Sequence, residues 1–199
     1  MNKSKILPYV EGAVCIAMAV VLSMIQIYKL PWGGSVTLFS MLPISMYSIK
    51  YGLKKGVGVA FLFAVYQLAK GITMDGLLAW GLTPLMLISC ILLDYIIAYT
   101  SIGLSGIFRK FDVFGWISGI IIALGIRFIC HFTSGVVVFH SAGKLWEGFA
   151  TDNEFIYSFL YNGAYIFPEI VLTSIGAFLI FRVPIIKKLI IGNQKSTAN

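Results

Sequence analysis

Charge is scarce in this sequence. Asp, Glu, Lys and Arg make up 12% of 199 residues, with two histidines, three cysteines and six prolines. No G-x-x-x-x-G-K-[ST] stretch is present, which removes the P-loop route to ATP hydrolysis, and no H-E-x-x-H pair is present to hold a catalytic zinc. Cys15, Cys90 and Cys130 each sit inside an apolar run, where a thiol behaves as a small hydrophobe. That placement argues against a disulfide framework and against a Cys/His metal site. A serine triad built from Asp94 and His131 lacks the strand-turn elbow that would expose a nucleophile. The absences together point away from an enzyme, a resident cofactor and a metal centre. The formal charge of +7 does not signal nucleic acid either, because the basic residues stand in ones and twos at the ends of apolar runs, a pattern of membrane orientation.

What the chain has in abundance is apolar surface: 59% hydrophobic residues and a mean hydropathy of +0.91 mark an integral membrane protein. The first apolar run has no small-residue cleavage site before a polar segment, so it is expected to stay in the protein. Lipid offers no hydrogen bonds to a backbone, and about 20 apolar residues cross a bilayer as a helix. Six runs fit, over residues 6–28, 37–51, 55–70, 77–104, 114–139 and 154–181. The prediction is an all-α bundle of six transmembrane helices in one domain, residues 1–190, with a short polar tail without periodicity over 191–199. Lys3, Lys5, Lys50, Lys54, Lys55, Arg109, Lys110, Arg182, Lys187, Lys188 and Lys195 fall on one side of this map, against Lys29, Lys70 and Lys144 on the other. The bias places both termini in the cytoplasm.

The stretch LPWGGSVTLFSMLPI, residues 30–44, then faces outward, as do residues 71–76 and 140–153. Gly33 and Gly34 can take backbone angles closed to other residues and suit a lid, and Pro43 reads as a bend in helix two. Trp32 is either a ring that stacks on a ligand or an interfacial anchor. Ionisable groups at membrane depth are costly and usually face a cavity or a partner. Asp94 lies on the fourth helix; Arg127 and His131, four apart, share a face of the fifth; Ser158, Asn162, Tyr165 and Glu169 make one stripe on the sixth. Arg127 and Glu169 lie deepest and are assigned to a structural ion pair; His131 and Tyr157, nearer the outer ends, are assigned to ligand contact. His140 reads as a solvated loop residue, and Pro168 as a kink in the sixth helix.

LPWGGSVTLFSMLPI, LLDYIIAYTSIGLSG, CHFTSGVVVF and YSFLYNGAYIFPE, in this order, resemble the thiamine-specific substrate-binding (S) components of energy-coupling factor vitamin transporters, over about residues 11–181. The resemblance implies a six-helix bundle in the bacterial cell membrane, among membrane lipid, that captures thiamine in an outward cavity beneath the loop joining helices one and two. It also implies a shared module of a transmembrane coupling protein and two ATPases, docked through small residues on helix one, here Ala13 and Ala17. Position by position, Asp94 and Tyr95 match the family's acidic-Tyr pair, His131 its histidine, and Tyr157 and Asn162 its Y-S-x-x-x-N pattern. Phe139 stands where many relatives have Trp, a weaker partner for a cation; Ile96 replaces a common Pro, and Trp32 stands where Gln is frequent. These departures leave room for a different substrate, such as a thiamine-precursor pyrimidine; the competing reading from another class is a membrane protein whose polar residues only hold helices together.

Overall fold

The structure, a computed structural model, describes residues 3–30 and 33–196, with side chains over 6–30 and 33–192. Trp32 lies outside the described residues. The first helix, α1 (Lys3–Met24), is 22 residues long, about 33 Å at helical rise. It stops short of Tyr28, where the first span was expected to end. Residues Gln26–Lys29 form strand β1, which turns back to pair antiparallel with β2, Ser35–Thr37. Ile27 and Val36, Tyr28 and Thr37 supply the β-branched and aromatic residues that favour strand over helix here.

Helix α2 (Leu42–Tyr51) therefore starts five residues later than the sequence suggested and has only ten residues. Pro43 sits in its first turn, where no backbone donor is needed, so it begins the helix and does not bend it. Most of α2 is buried, Ile44, Ser45, Ser48 and Ile49 completely, as a helix enclosed on all sides must be. Gly52, at φ 87°, makes the abrupt turn into α3, Leu53–Thr73.

After α3 the chain makes a 3₁₀ turn at Leu77–Ala79, and α4 (Pro84–Phe108) begins seven residues beyond the expected Leu77, capped by the Thr83 hydroxyl. Within α4, Ile91–Ile97 is a π-helical segment and Ser101–Phe108 a 3₁₀ one. The later part lets α4 approach α2 closely: Ser48 Oγ donates to the Gly103 carbonyl and accepts from Gly106 N–H at 3.1 Å, and Ser105 donates to Ser45 at 3.0 Å. Helix α5 (Val113–Val137) is capped by Asp112, and α6 (Glu154–Phe181) by Asn153, running on through Pro168. Between them β3 (Gly143–Trp146) and β4 (Phe149–Thr151) form a second hairpin. The protein is mostly helical, as expected, and the two short hairpins lie in connections that were read as loop or helix end. The tail is corrected: α7 (Pro184–Ser196) carries helix through most of the residues expected to lack periodicity.

Among the described residues, five helices are long and apolar enough to cross a membrane: α1, α3, α4, α5 and α6. The core packs at one end of the bundle, where Ile44, Ile49, Phe63, Ile102, Ile120 and Leu124 are fully buried and Trp116 meets Phe181 edge to face at 5.0 Å. Because α2 is about 15 Å long, it fills only that half. The other half holds the β1–β2 hairpin and an open volume.

Candidate ligand-binding site

That volume is a cavity of about 530 Å³, walled by α3 to α6 and covered by residues 33–37 of the first hairpin. The π-helical segment of α4 is what brings Asp94 and Tyr95 into it; such insertions re-aim side chains and recur at functional sites. Asp94 Oδ1 lies 2.8 Å from His131 Nδ1, and Oδ2 accepts from the Ser134 hydroxyl. His131 and Ser134, three apart on α5, grip one carboxylate from one helix face. The His131 ring is also held edge-on by Tyr99 at 6.3 Å and Tyr165 at 6.0 Å. Its Nε2 is buried without a hydrogen-bond partner among the described residues. When Nδ1–H donates to Asp94, that nitrogen is an acceptor waiting for a donor.

Asn162 is more occupied than its expected contact role suggests. Its amide N–H groups donate to the Ser158 carbonyl at 2.9 Å, to Ser158 Oγ at 3.1 Å and to the His131 carbonyl at 3.3 Å. Its Oδ1 accepts from Tyr165 at 2.8 Å. Asn162 thus ties α6 to α5, and only spare acceptor capacity on Oδ1 faces the cavity.

Deeper in, Arg127 and Glu169 are both about 2% exposed and in direct contact. Arg127 also donates to Tyr99 Oη at 3.2 Å and lies 4.7 Å from the centre of its ring. Glu169 Oε1 accepts from Thr37 twice, from Oγ1 at 2.6 Å and from N–H at 3.1 Å. Because Thr37 belongs to β2, the pair anchors the cover as well as joining α5 to α6. Both residues line the cavity floor, so the division into a deep structural pair and outer contacts is less sharp in space than along the sequence.

Gly33 and Gly34 line the cavity from above. Gly33 has φ +90°, and a Cβ on Gly34 would fall 2.8 Å from two atoms of the Tyr165 ring. Lys29 at the end of β1 pairs with Asp75 at 2.9 Å, latching the hairpin to the α3–α4 connection. Trp80 Nε1 donates to the Asp75 carbonyl at 3.1 Å, and its ring stands 6.1 Å from Phe139. Tyr157 and Tyr161 stack at 6.2 Å on the facing wall, while His140, at the rim, pairs with Glu154 at 3.2 Å.

The structure brings together Asp94, Tyr95, His131, Phe139, Tyr157 and Asn162 around one space. Sequence reasoning missed Ser134, Tyr99, Thr37 and Trp80. Ser134 was signalled by its spacing from His131; Trp80 and Thr37 had no signal, since loop and hairpin geometry places them. Of the lining carboxylates, Glu169 faces Arg127 and Asp75 faces Lys29, but Asp94 has no Lys or Arg within ion-pair reach among the described residues.

Such a bundle of apolar helices, with an aromatic and acidic cavity under a hairpin, has the architecture of a membrane-embedded protein with room for a small molecule. The family model for thiamine transporter proteins matches residues 9–188, and the chain belongs to that family. It is 33% identical to the thiamine transporter ThiT of Bacillus subtilis, over 91% of this chain and 94% of that one. The structure of ThiT from Listeria monocytogenes has the same fold, with a TM-score of 0.69 at 21% identity, covering 94% of this chain and 99% of that one. The protein is accordingly a multi-pass transport protein of the bacterial cell membrane, not an enzyme.

Proposed function

We propose that this chain is the thiamine-binding S component of an energy-coupling factor transporter. The observation that carries the reading is Asp94: a carboxylate held by His131 and Ser134, facing a cavity, with no Lys or Arg within ion-pair reach among the described residues. Thiamine supplies what is missing, a permanent thiazolium charge and an aminopyrimidine donor. The amino group donates to Asp94 or to His131 Nε2, and Tyr157, Tyr161, Phe139 and Trp80 offer ring faces to the cation, each worth about 0.5 to 2 kcal/mol. Trp80, beside Phe139, provides the indole that Phe139 lacks.

In this reading α2 and β2 together make a sixth, short crossing, and the basic residues set both termini in the cytoplasm. The cavity then opens outward under the hairpin. Ala13 and Ala17 are exposed on α1, a flat strip on which the coupling protein of the ATP-driven module docks.

Titration of the detergent-purified protein with thiamine, with its aminopyrimidine alone and with riboflavin separates the readings through intrinsic fluorescence. Saturation by thiamine well below micromolar concentration, with weak response to the others, is expected. Saturation by the pyrimidine alone would reassign the ligand, and no response to any would leave the polar cluster as helix glue. The lid makes a second expectation. Gly34→Ala forces its Cβ against the Tyr165 ring, which Asn162 holds in place, so the hairpin must shift and thiamine affinity falls about tenfold. An unaltered dissociation constant would show that the hairpin does not close on the ligand.

A further inference from the structure

At the opposite end of the molecule, where α6 ends and α7 begins, lies a groove of about 290 Å³. Val113, Phe114, Phe178 and Phe181 form its walls, and Arg182 and Lys187 bring two cations to it. The Arg182 guanidinium lies 4.3 Å from the centre of the Phe178 ring. Neither cation has a carboxylate within ion-pair reach among the described residues. Asp112, at the edge of the groove, has its Oδ1 committed to the N–H groups of Phe114 and Gly115 at 3.1 and 3.3 Å, as the cap of α5. Two cations against the one carboxylate of Asp112 leave the groove with net positive charge, which favours an anion.

The apolar surroundings select which anion. Phe114 is 71% exposed, and on α6 Ile175 and Leu179 continue the exposed apolar surface away from Arg182 along the membrane-spanning helix. On α7, Ile186, Ile190 and Ile191 pack into the core, while Ile185 and Leu189, four apart, face outward. A helix with one apolar face in the protein and another outside it, flanked by lysines and set at the end of spanning helices, lies where lipid headgroups lie. A soluble anion would gain nothing from these walls.

We propose that this groove is a site for an anionic phospholipid, its phosphodiester held between Arg182 and Lys187 and its acyl chains running along α6 past Phe178. The site is independent of what the upper cavity binds. Native mass spectrometry of the intact protein with added phosphatidylglycerol or phosphatidylcholine tests it. The wild type is expected to retain one phosphatidylglycerol under activation that strips phosphatidylcholine. Arg182→Gln with Lys187→Gln is expected to reduce that retention about tenfold. The charge-keeping exchange Arg182→Lys with Lys187→Arg should retain it, which separates lost charge from lost fold. Glycerol phosphate, the headgroup without chains, should not displace the lipid. Equal retention of the two lipids by the wild type, undiminished retention in the double Gln variant, or displacement by glycerol phosphate would each overturn the proposal.

Discussion

Asp94→Asn lowers thiamine affinity at least about a hundredfold, close to 3 kcal/mol, without unfolding the protein. Asparagine keeps the shape: its oxygen still accepts from His131 Nδ1–H, and its amide meets Ser134. What is lost is the charge. A thiazolium cation entering the cavity would then leave water for a space where the remaining carboxylates are already paired, Glu169 with Arg127 and Asp75 with Lys29. Because opposite charges attract more strongly in such a medium than in water, the missing counterion costs more than one hydrogen bond. Fluorescence titration of the variant beside the wild type reads the effect, and a thermal melt without ligand confirms that the fold is intact. An affinity within threefold of the wild type would remove Asp94 from the site, the threefold margin being about 0.65 kcal/mol.

The second large effect is on stability. Arg127→Met leaves Glu169 buried with only the two Thr37 donors, and Glu169→Leu leaves Arg127 buried with only Tyr99. Either change strands a charge and is expected to destabilise the protein by about 3 to 5 kcal/mol. The double variant Arg127→Met with Glu169→Leu removes both charges and should be more stable than either single one. Thermal unfolding in detergent tests the order. Losses in the double variant equal to the sum of the single ones would mean that the two residues act independently, contrary to the contact between them. Glu169→Leu should also loosen the cover, since Thr37 loses its acceptor, whereas Arg127→Met leaves those two hydrogen bonds in place.

Much of this was legible in the sequence, and the reason differs by residue. Asp94, Arg127, His131 and Glu169 stood out because charge is rare inside apolar runs, and helical spacing grouped those on α5 and α6 correctly. Helix-face arithmetic does not extend to contacts between helices. That Ser134 shares Asp94 with His131, or that Glu169 reaches Thr37 from 132 residues away, depends on how the helices are set against each other. Residues 26–28 of β1 and Thr37 of β2 were misread as helix because Ile25 and Ile27 are as apolar as any span, and hydropathy does not distinguish a strand from the end of a helix. The same blindness moved the start of α4: residues 77–83 are apolar enough to count as membrane, but Gly76 and Gly81 take positive φ and Pro84 marks the first helical turn. Asn162 was legible as a polar position, but its amide N–H contacts to Ser158 within α6 and to the His131 carbonyl on α5 were not, since they depend on how the two helices are packed.

One thiamine per chain is expected in the cavity around Asp94 and His131. Equilibrium dialysis of purified wild-type protein against labelled thiamine measures this most directly. Saturable binding of one thiamine per chain, half-complete well below micromolar concentration, is the expected result. Binding that rises without saturation through the micromolar range, or saturable binding that persists unchanged in Asp94→Asn, would contradict it.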